Sequence, residues 1–392
     1  MVSVSRHYLD HNATSPLRPE AREAMLNAFD QVGNPSSVHQ EGRKARGMMD
    51  GARDAIAALC GASARDVVFT GGGTEANSLA LTPGLLVDGA PQPFTHLVVS
   101  SVEHVCILEG HRFKADCVSR INVDPSGIVS KDHLELLLQD IAQKGGRALV
   151  AVQAANNETG IIQPIAELAM LVHRFDGLLH CDAVQIAGKL PLDQMTAGAD
   201  MIALSAHKIG GPQGVGALVL RSGGISITDK MLRGGGQERG ARAGTENVAG
   251  ISGFGAAASA CLTSLAENSN AMLDLRDHAE TLVIEAAPDA VVYGSGLARL
   301  PNTLAFSIPG LTAETALMAF DLGGVALSSG SACSSGKVKK SHVLEAMGVS
   351  NDIAACALRV SFGWTSTKAD LQGFRAVLEK MVRQRKTNAR AA

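Results

Sequence analysis

Three short segments carry residue types whose spacing suits chemistry. The first is Val67-Val68-Phe69-Thr70-Gly71-Gly72-Gly73-Thr74-Glu75, where an apolar run ends in three glycines and a helical pattern begins. Free N–H groups at a helix N-terminus, reinforced by the macrodipole, hold anions, and glycine lets backbone approach a phosphate closely. The segment is neither a Walker loop nor a GxGxxG fingerprint. Taken alone, it reads equally well as a tight turn with Thr74 as a cap. The second is Leu204-Ser205-Ala206-His207-Lys208-Ile209-Gly210-Gly211-Pro212, in which a lysine follows an apolar run and precedes a Gly/Pro turn. A partly desolvated amine there can form a Schiff base, although an isolated match of this kind is more often a surface lysine. The third is Leu179-His180-Cys181-Asp182-Ala183-Val184-Gln185, where an acid ends an apolar strand. A buried carboxylate needs a partner, either a cationic ring nitrogen or, more plainly, the backbone N–H groups of a helix that it caps.

Together the three acquire meaning. A phosphate cradle, an acid and a lysine, each following a strand of one sheet, are what pyridoxal phosphate requires: an anchored phosphate, a protonated ring nitrogen and an aldehyde held as an imine. Further motifs follow in order along the chain. They are Leu9-Asp10-His11-Asn12-Ala13-Thr14, Gly33-Asn34-Pro35-Ser36-Ser37-Val38-His39, Gly72-Gly73-Thr74-Glu75-Ala76-Asn77, Glu103-His104 and Asn156-Asn157-Glu158-Thr159-Gly160. Beyond Asp182 and Lys208 come Gly234-Gly235-Gly236-Gln237-Glu238, Arg242-Ala243-Gly244-Thr245 and Ser328-Ser329-Gly330-Ser331-Ala332-Cys333. On these residues, from Tyr8 to Asp370, the chain resembles the fold-type I pyridoxal-phosphate enzymes. More closely, it resembles cysteine desulfurases of the NifS/IscS type, in the class V aminotransferase family. It departs from that pattern at His11, where a second asparagine is usual, at Ser15, where a threonine is common, and at Trp364, where many relatives have arginine.

The resemblance implies roles residue by residue. Lys208 carries the cofactor as an imine, Asp182 faces the ring nitrogen and Gln185 contacts the ring hydroxyl. Gly73, Thr74, Ser205 and His207 hold the phosphate, and Thr245 reaches the phosphate of a partner subunit, so that a homodimer is part of the site. His104 stacks on the ring and transfers protons. Asn157, Arg359 and Asn12 bind substrate, Arg359 by a fork onto its carboxylate. Cys333, in the Gly/Ser-rich loop of residues 327–338, is the nucleophile that takes sulfur from L-cysteine and leaves L-alanine. Its persulfide would pass to acceptor proteins such as an iron–sulfur scaffold, or to tRNA thiolation. Two other readings stand beside this one. A selenocysteine lyase or other pyridoxal-phosphate aminotransferase or lyase would share the fold but would not need Cys333 in its loop. A non-enzymatic cysteine scaffold or redox sensor would not need Lys208 and Asp182.

The elements that must position these residues are visible in the hydrophobic pattern. Short apolar runs at Asp66–Thr70, His96–Ser100, Ala148–Val152, Leu178–Cys181, Met201–Leu204 and Gly216–Leu220 read as strands. Helical patterns at Lys131–Gln143 and Ile165–Arg174 alternate with them. The alternation predicts an α/β fold, and ligands bind such sheets beyond the carboxyl ends of the strands. The resemblance makes the main sheet mainly parallel and seven-stranded, in a large domain over residues 15–257. Residues 1–14 and 258–392 are expected to form a smaller α+β domain. In it, helical stretches at Met272–Ala287 and Lys368–Arg385 surround strands near Asn302–Ile308 and Leu358–Ser361.

Composition sets the outer bounds. The 392 residues are 46% hydrophobic, which excludes general disorder. A net charge of -3 and 3% aromatic residues offer neither an overall attraction for nucleic acid or anionic membrane nor a base-stacking platform. Seven cysteines, an odd number without a CxxC pair, argue against a disulfide framework or zinc knuckle and fit a reducing cytoplasm. No metal site is expected. Cys60, Cys106, Cys181, Cys261 and Cys356 read as buried fillers and Cys117 as a strand-edge residue. The uncharged but Gly/Ser/Ala-rich stretch from Asn247 to Ala266 is expected to be a packed helix rather than a membrane span.

Overall fold

The computed structural model describes residues 6–91, 93–221, 224–330 and 340–391. Seven strands make the main sheet: β1 (Val67–Thr70), β2 (His96–Ser100), β3 (Val118–Ile121), β4 (Ala148–Ala151), β5 (Leu178–Asp182), β6 (Met201–Ser205) and β7 (Gly216–Leu220). Their order across the sheet is β1-β7-β6-β5-β4-β2-β3. Strand β7 runs antiparallel to both of its neighbours, and the remaining pairs are parallel. Strands β4 to β7 are buried along their whole length, which is why they are near-continuous apolar runs rather than alternating ones.

Successive side chains point to opposite faces of the sheet and feed two apolar layers. Val67, Phe69, Val150, Leu179, Ile202 and Val219 pack on one side, with Ile56 and Phe254 from helices. Val68, Leu149, Leu178, Met201 and Leu218 pack on the other, with Leu79 from the helix that follows β1. The helices Lys131–Gln143 and Ile165–Arg174 lie in the crossovers before and after β4. The stretch after Asn247 forms a helix, Val248–Thr263, that buries Ile251, Phe254, Ala257, Ala258 and Cys261. No single helix among the described residues is long and apolar enough to cross a membrane.

A separate apolar cluster joins Leu9 to residues between Met272 and Val382. It is built on the helices Leu265–Ala286 and Lys368–Ala391 and on a three-stranded antiparallel sheet. That sheet comprises β8 (Val291–Val292), β9 (Thr303–Ser307) and β10 (Ala357–Ser361), with β9 in the middle. Two cysteine expectations need correction. Cys117 is not on a strand edge; it closes the short helical turn Ala115–Cys117 just before β3. Cys106 is half-buried rather than fully buried, because it stands in the first turn after His104, at the edge of the site described next.

Candidate active site

The chemistry-bearing residues collect beyond the carboxyl ends of the main-sheet strands. Strand β1 runs into Gly71-Gly72-Gly73, and the helix Gly73–Ala80 starts there. Gly72 has φ 152° and ψ 178°, a conformation essentially confined to glycine. A Cβ on Gly73 would sit 2.9 Å from Val184 Cγ2 and 3.3 Å from Ser205 Cβ, so only glycine fits between β1 and the ends of β5 and β6. Ser205, buried at the end of β6, and His207, two residues on, complete the rim. His207 Nδ1 lies 3.1 Å from Thr14 Oγ1. Burial, with the nearby Lys208 charge, lowers its pKa to about 4, so the ring is neutral at pH 7. Thr74, in the first turn of the helix, is exposed. A helix start flanked by the hydroxyls of Thr74 and Ser205 is a setting that suits an anion such as a phosphate.

Lys208 lies in the helical turn directly after β6. Its Nζ donates to the carbonyls of Asn12 at 2.6 Å and Ala13 at 2.7 Å. Asp182 ends β5, where Oδ1 accepts from the Val184 N–H at 3.0 Å and Oδ2 from Asn77 Nδ2 at 2.8 Å. The plain alternative is partly realised for the acid, which caps a turn, whereas Lys208 is half-buried with its amine tied to backbone rather than a surface lysine. Neither removes the chemistry, because a carboxylate oxygen accepts more than one hydrogen bond.

His104 follows β2 and caps the short helix Val105–Leu108, accepting at Nδ1 from the Cys106 N–H at 3.2 Å. An Nδ1 that accepts leaves the ring proton on Nε2. Burial lowers the pKa of His104; Asp182 opposes that shift, while Lys208 and His342 add to it. Behind His104, burial and then the Asp182 charge push the Glu103 carboxyl well up. Its Oε1 accepts from the Gln153 N–H at 2.6 Å, whereas Oε2 has no partner.

Arg359 comes from the middle of β10, on the other sheet. Nη1 donates to the Asn157 carbonyl at 2.9 Å and Nη2 to Asp10 Oδ1 at 2.8 Å, while the buried Nε has no partner. The resemblance implies a fork from this arginine onto a carboxylate. The ion pair with Asp10 is present, and the orphaned N–H is left over for an anionic group. Asn12 is a junction: its N–H donates to Ser361 Oγ at 2.9 Å and its Nδ2 to Thr303 Oγ1 at 2.9 Å, while Oδ1 accepts from Asn302 Nδ2 at 3.0 Å. Gln185 Nε2 donates to the Asn12 carbonyl at 3.1 Å. Trp364 hydrogen-bonds the Pro16 carbonyl and lies under the Arg18 guanidinium, so the departure from the usual arginine closes the wall of a cavity beside Lys208.

Thr245 is exposed, on the segment that Arg242 anchors to Glu75 at 2.9 Å. Cys333 lies outside the described residues.

Three supporting residues were not anticipated. Asn77 Oδ1 accepts from His180 Nε2 at 2.7 Å, so Asn77 links the fully buried His180 to Asp182. His180 and Asp182 are two apart on one strand and therefore share a face, a spacing that could have revealed the pair. Lys189 is buried among turns and donates to both oxygens of Gln185; no sequence signal marks it beyond a charge in an otherwise apolar stretch. Burial, and then the charges of Lys208 and Arg359, lower its pKa to about 7.

Comparison with known proteins extends the likeness beyond the site. The family model for class-V aminotransferases matches residues 7–374. The chain is 40% identical over 387 residues to a cysteine desulfurase of Cereibacter sphaeroides, covering 97% of each. It is 37% identical over 384 residues to the cysteine desulfurase IscS of Dictyoglomus turgidum, covering 97% of this chain and 95% of that one. The X-ray structure of a NifS-like protein from Rickettsia africae ESF-5 superposes with a TM-score of 0.86 at 35% identity, covering 97% of this chain and 99% of the other. The lysine, acid and glycine turn thus sit in a fold matched over nearly its whole length, and the chain belongs to the class-V aminotransferase family.

Proposed function

We propose that the chain is a cysteine desulfurase that binds pyridoxal 5'-phosphate at Lys208 and converts L-cysteine to L-alanine, with the sulfur leaving as a cysteine persulfide. The observation that carries this reading is the convergence of Lys208 Nζ, the Asp182 carboxylate and the Gly72–Gly73 turn at the carboxyl ends of β6, β5 and β1. Two further features support the reading. Gly73 lets the turn close against Val184 and Ser205, which brings the Ser205 hydroxyl beside it, and the orphaned Arg359 Nε offers a donor to the substrate carboxylate.

When bound, the cofactor supplies an electron sink for the bond being broken at the substrate Cα. The donor turn at Gly73, Thr74, Ser205 and His207 holds its phosphate. Asp182 keeps a proton on the ring nitrogen, because a fixed carboxylate favours the charged form of a basic neighbour. Lys208 Nζ, which donates to the carbonyls of Asn12 and Ala13, takes the proton from the substrate Cα. His104, neutral with its proton on Nε2, can donate that proton. Arg359 and Asn157 orient the substrate carboxylate, with Asn12 fixing the floor. Cys333 supplies the thiolate: its sulfur bonds to the substrate sulfur, the Cβ–S bond breaks, and the electron pair left on carbon is protonated to give alanine.

The same reading includes a homodimer in which Thr245 contacts the partner's phosphate, and acceptor proteins, an iron–sulfur scaffold among them, that relieve Cys333 of its sulfur. Purified protein should be yellow, and borohydride should fix one pyridoxyl group to the peptide containing Lys208. L-Cysteine should yield alanine and sulfide in equal amounts under reducing conditions. Label on a peptide lacking Lys208, or no alanine, would refute the proposal.

A further inference from the structure

Lys189 takes no direct part in the reaction just described, yet it is 5% exposed and its amine is hydrogen-bonded beside the site. Nζ donates to the Gln185 carbonyl at 2.7 Å and to Gln185 Oε1 at 3.3 Å. At the other end of the same amide, Gln185 Nε2 donates to the Asn12 carbonyl at 3.1 Å. That carbonyl also receives Lys208 Nζ at 2.6 Å. A primary amide has one end that accepts and one that donates. Here a pure donor stands at one end and a pure acceptor at the other, so only one of the two flips of Gln185 satisfies both. The reverse flip would set Oε1 against the Asn12 oxygen and NH2 against the Lys189 amine. The chosen flip brings the amide N–H groups to the carbonyl shared with Lys208 and leaves one of the two N–H groups unclaimed by Asn12.

We infer that Lys189 is a positioning residue: by holding Gln185 Oε1 it turns the Gln185 amide so that N–H, not C=O, faces the ligand at Lys208. The ligand feature so recognised is an anionic ring oxygen ortho to the aldehyde. This rests on the proposal that Lys208 binds pyridoxal phosphate. The charged and titratable groups around Lys189 are Lys208, Arg359, Cys261 and His11. The lock is complete when the amine is protonated, because a neutral amine keeps a lone pair that could accept from the NH2 of the reverse flip.

The test is a double-mutant cycle read as the dissociation constant of pyridoxal phosphate for the apoprotein, with no turnover involved. Lys189→Met and Gln185→Ala should each weaken binding about tenfold, which is about 1.4 kcal/mol. The double variant should be no weaker than Gln185→Ala alone, because Lys189 acts through that amide. A further tenfold loss in the double variant, or unchanged affinity in Lys189→Met, would overturn the inference. Should Lys189→Met not fold, Gln185→Glu serves instead. It keeps the partner for Lys189 but turns an oxygen towards the ligand, and affinity should fall at least tenfold; unchanged affinity would overturn the inference. If wild-type protein formed no borohydride-fixable adduct at Lys208, the proposed function and this inference would fall together. A wild type that binds normally while the cycle is additive would remove the inference alone.

Discussion

Replacing Asn77 by leucine tests whether Asp182 is held from behind by a closed polar chain. Asn77 is 1% exposed and shares the branched outline of the bulkier leucine, so the change removes the hydrogen bonds and adds some overpacking. Its Nδ2 donates to Asp182 Oδ2 at 2.8 Å, and its Oδ1 accepts from His180 Nε2 at 2.7 Å. Burial lowers the pKa of His180 to about 3, so at neutral pH the ring carries one proton. With an amide oxygen opposite Nε2, that proton sits on Nε2, and the buried Nδ1 has no partner. Losing a hydrogen bond to a charged group costs about 1.5–3 kcal/mol, and stranding a buried donor costs about 1–3 kcal/mol. Asn77→Leu should therefore destabilise the apoprotein by about 2.5–6 kcal/mol.

Urea denaturation at pH 7.5 reads this as a lower midpoint at an unchanged slope. The sharper measurement is the pair Asn77→Leu with His180→Phe. Replacing both partners by apolar groups removes the stranded donor, so the double variant should be about 1–3 kcal/mol more stable than the sum of the singles predicts. A cost below about 1 kcal/mol for Asn77→Leu, or additivity within about 0.5 kcal/mol, would refute the chain.

Four further outcomes are expected. Acid should weaken the fold: burial lowers His180 to about 3 and His11 to about 4, so between those values and the ordinary histidine pKa the unfolded chain binds more protons. The stability these rings contribute is complete above about pH 6.5 and is lost as pH falls, and His180→Phe should flatten the slope by at most about 1.4 kcal/mol per pH unit; an unchanged slope in urea titrations would contradict this. Arg359→Lys should raise KM for L-cysteine at least tenfold with a smaller change in kcat, because lysine has no Nε–H beside the two donors that hold Asn157 and Asp10; an unchanged KM would remove Arg359 from the substrate. Gly73→Ala, whose Cβ would come within 2.9 Å of Val184 Cγ2, should weaken pyridoxal phosphate binding more than tenfold by equilibrium titration, and near-normal affinity would mean that the turn is not the phosphate cradle. Cys333→Ala should bind cofactor and L-cysteine normally but form no persulfide and almost no alanine; wild-type turnover would make the protein a lyase acting by elimination.

What could be read from the sequence follows from how strongly each element advertises its burial. Six strands of the main sheet were legible because both of their faces are covered and their residues are apolar. The seventh, Val118–Ile121, was not, because it lies at an edge where only Ile121 is buried, and Ser119 and Arg120 break the pattern. The helix Leu265–Ala286 begins seven residues before the expected Met272, because none of residues 265–271 is buried and helical periodicity cannot show there. In the site, Lys208, Asp182 and the glycine turn were legible because their positions after strands restrict the residue types. Asn77, His180 and Lys189 were not, because amides, a neutral imidazole and a single buried amine are ordinary residues until their partners are known.

The position of Lys208 depends on both sheets, and Asn12 is the reason. The lysine belongs to the end of β6, but its amine rests on the carbonyls of Asn12 and Ala13. Asn12 is in turn held by Ser361 at the end of β10 and by Asn302 and Thr303 at the start of β9. Arg359, on β10, reaches back to the Asn157 carbonyl after β4 and to Asp10. A shift of the second apolar cluster relative to the main sheet would therefore move the lysine's anchors and the arginine together. The group that is to receive the cofactor and the group that is to receive the substrate carboxylate are fixed to one short segment, Asp10–Ala13. Their separation is set by that segment rather than by the longer chain path between Lys208 and Arg359.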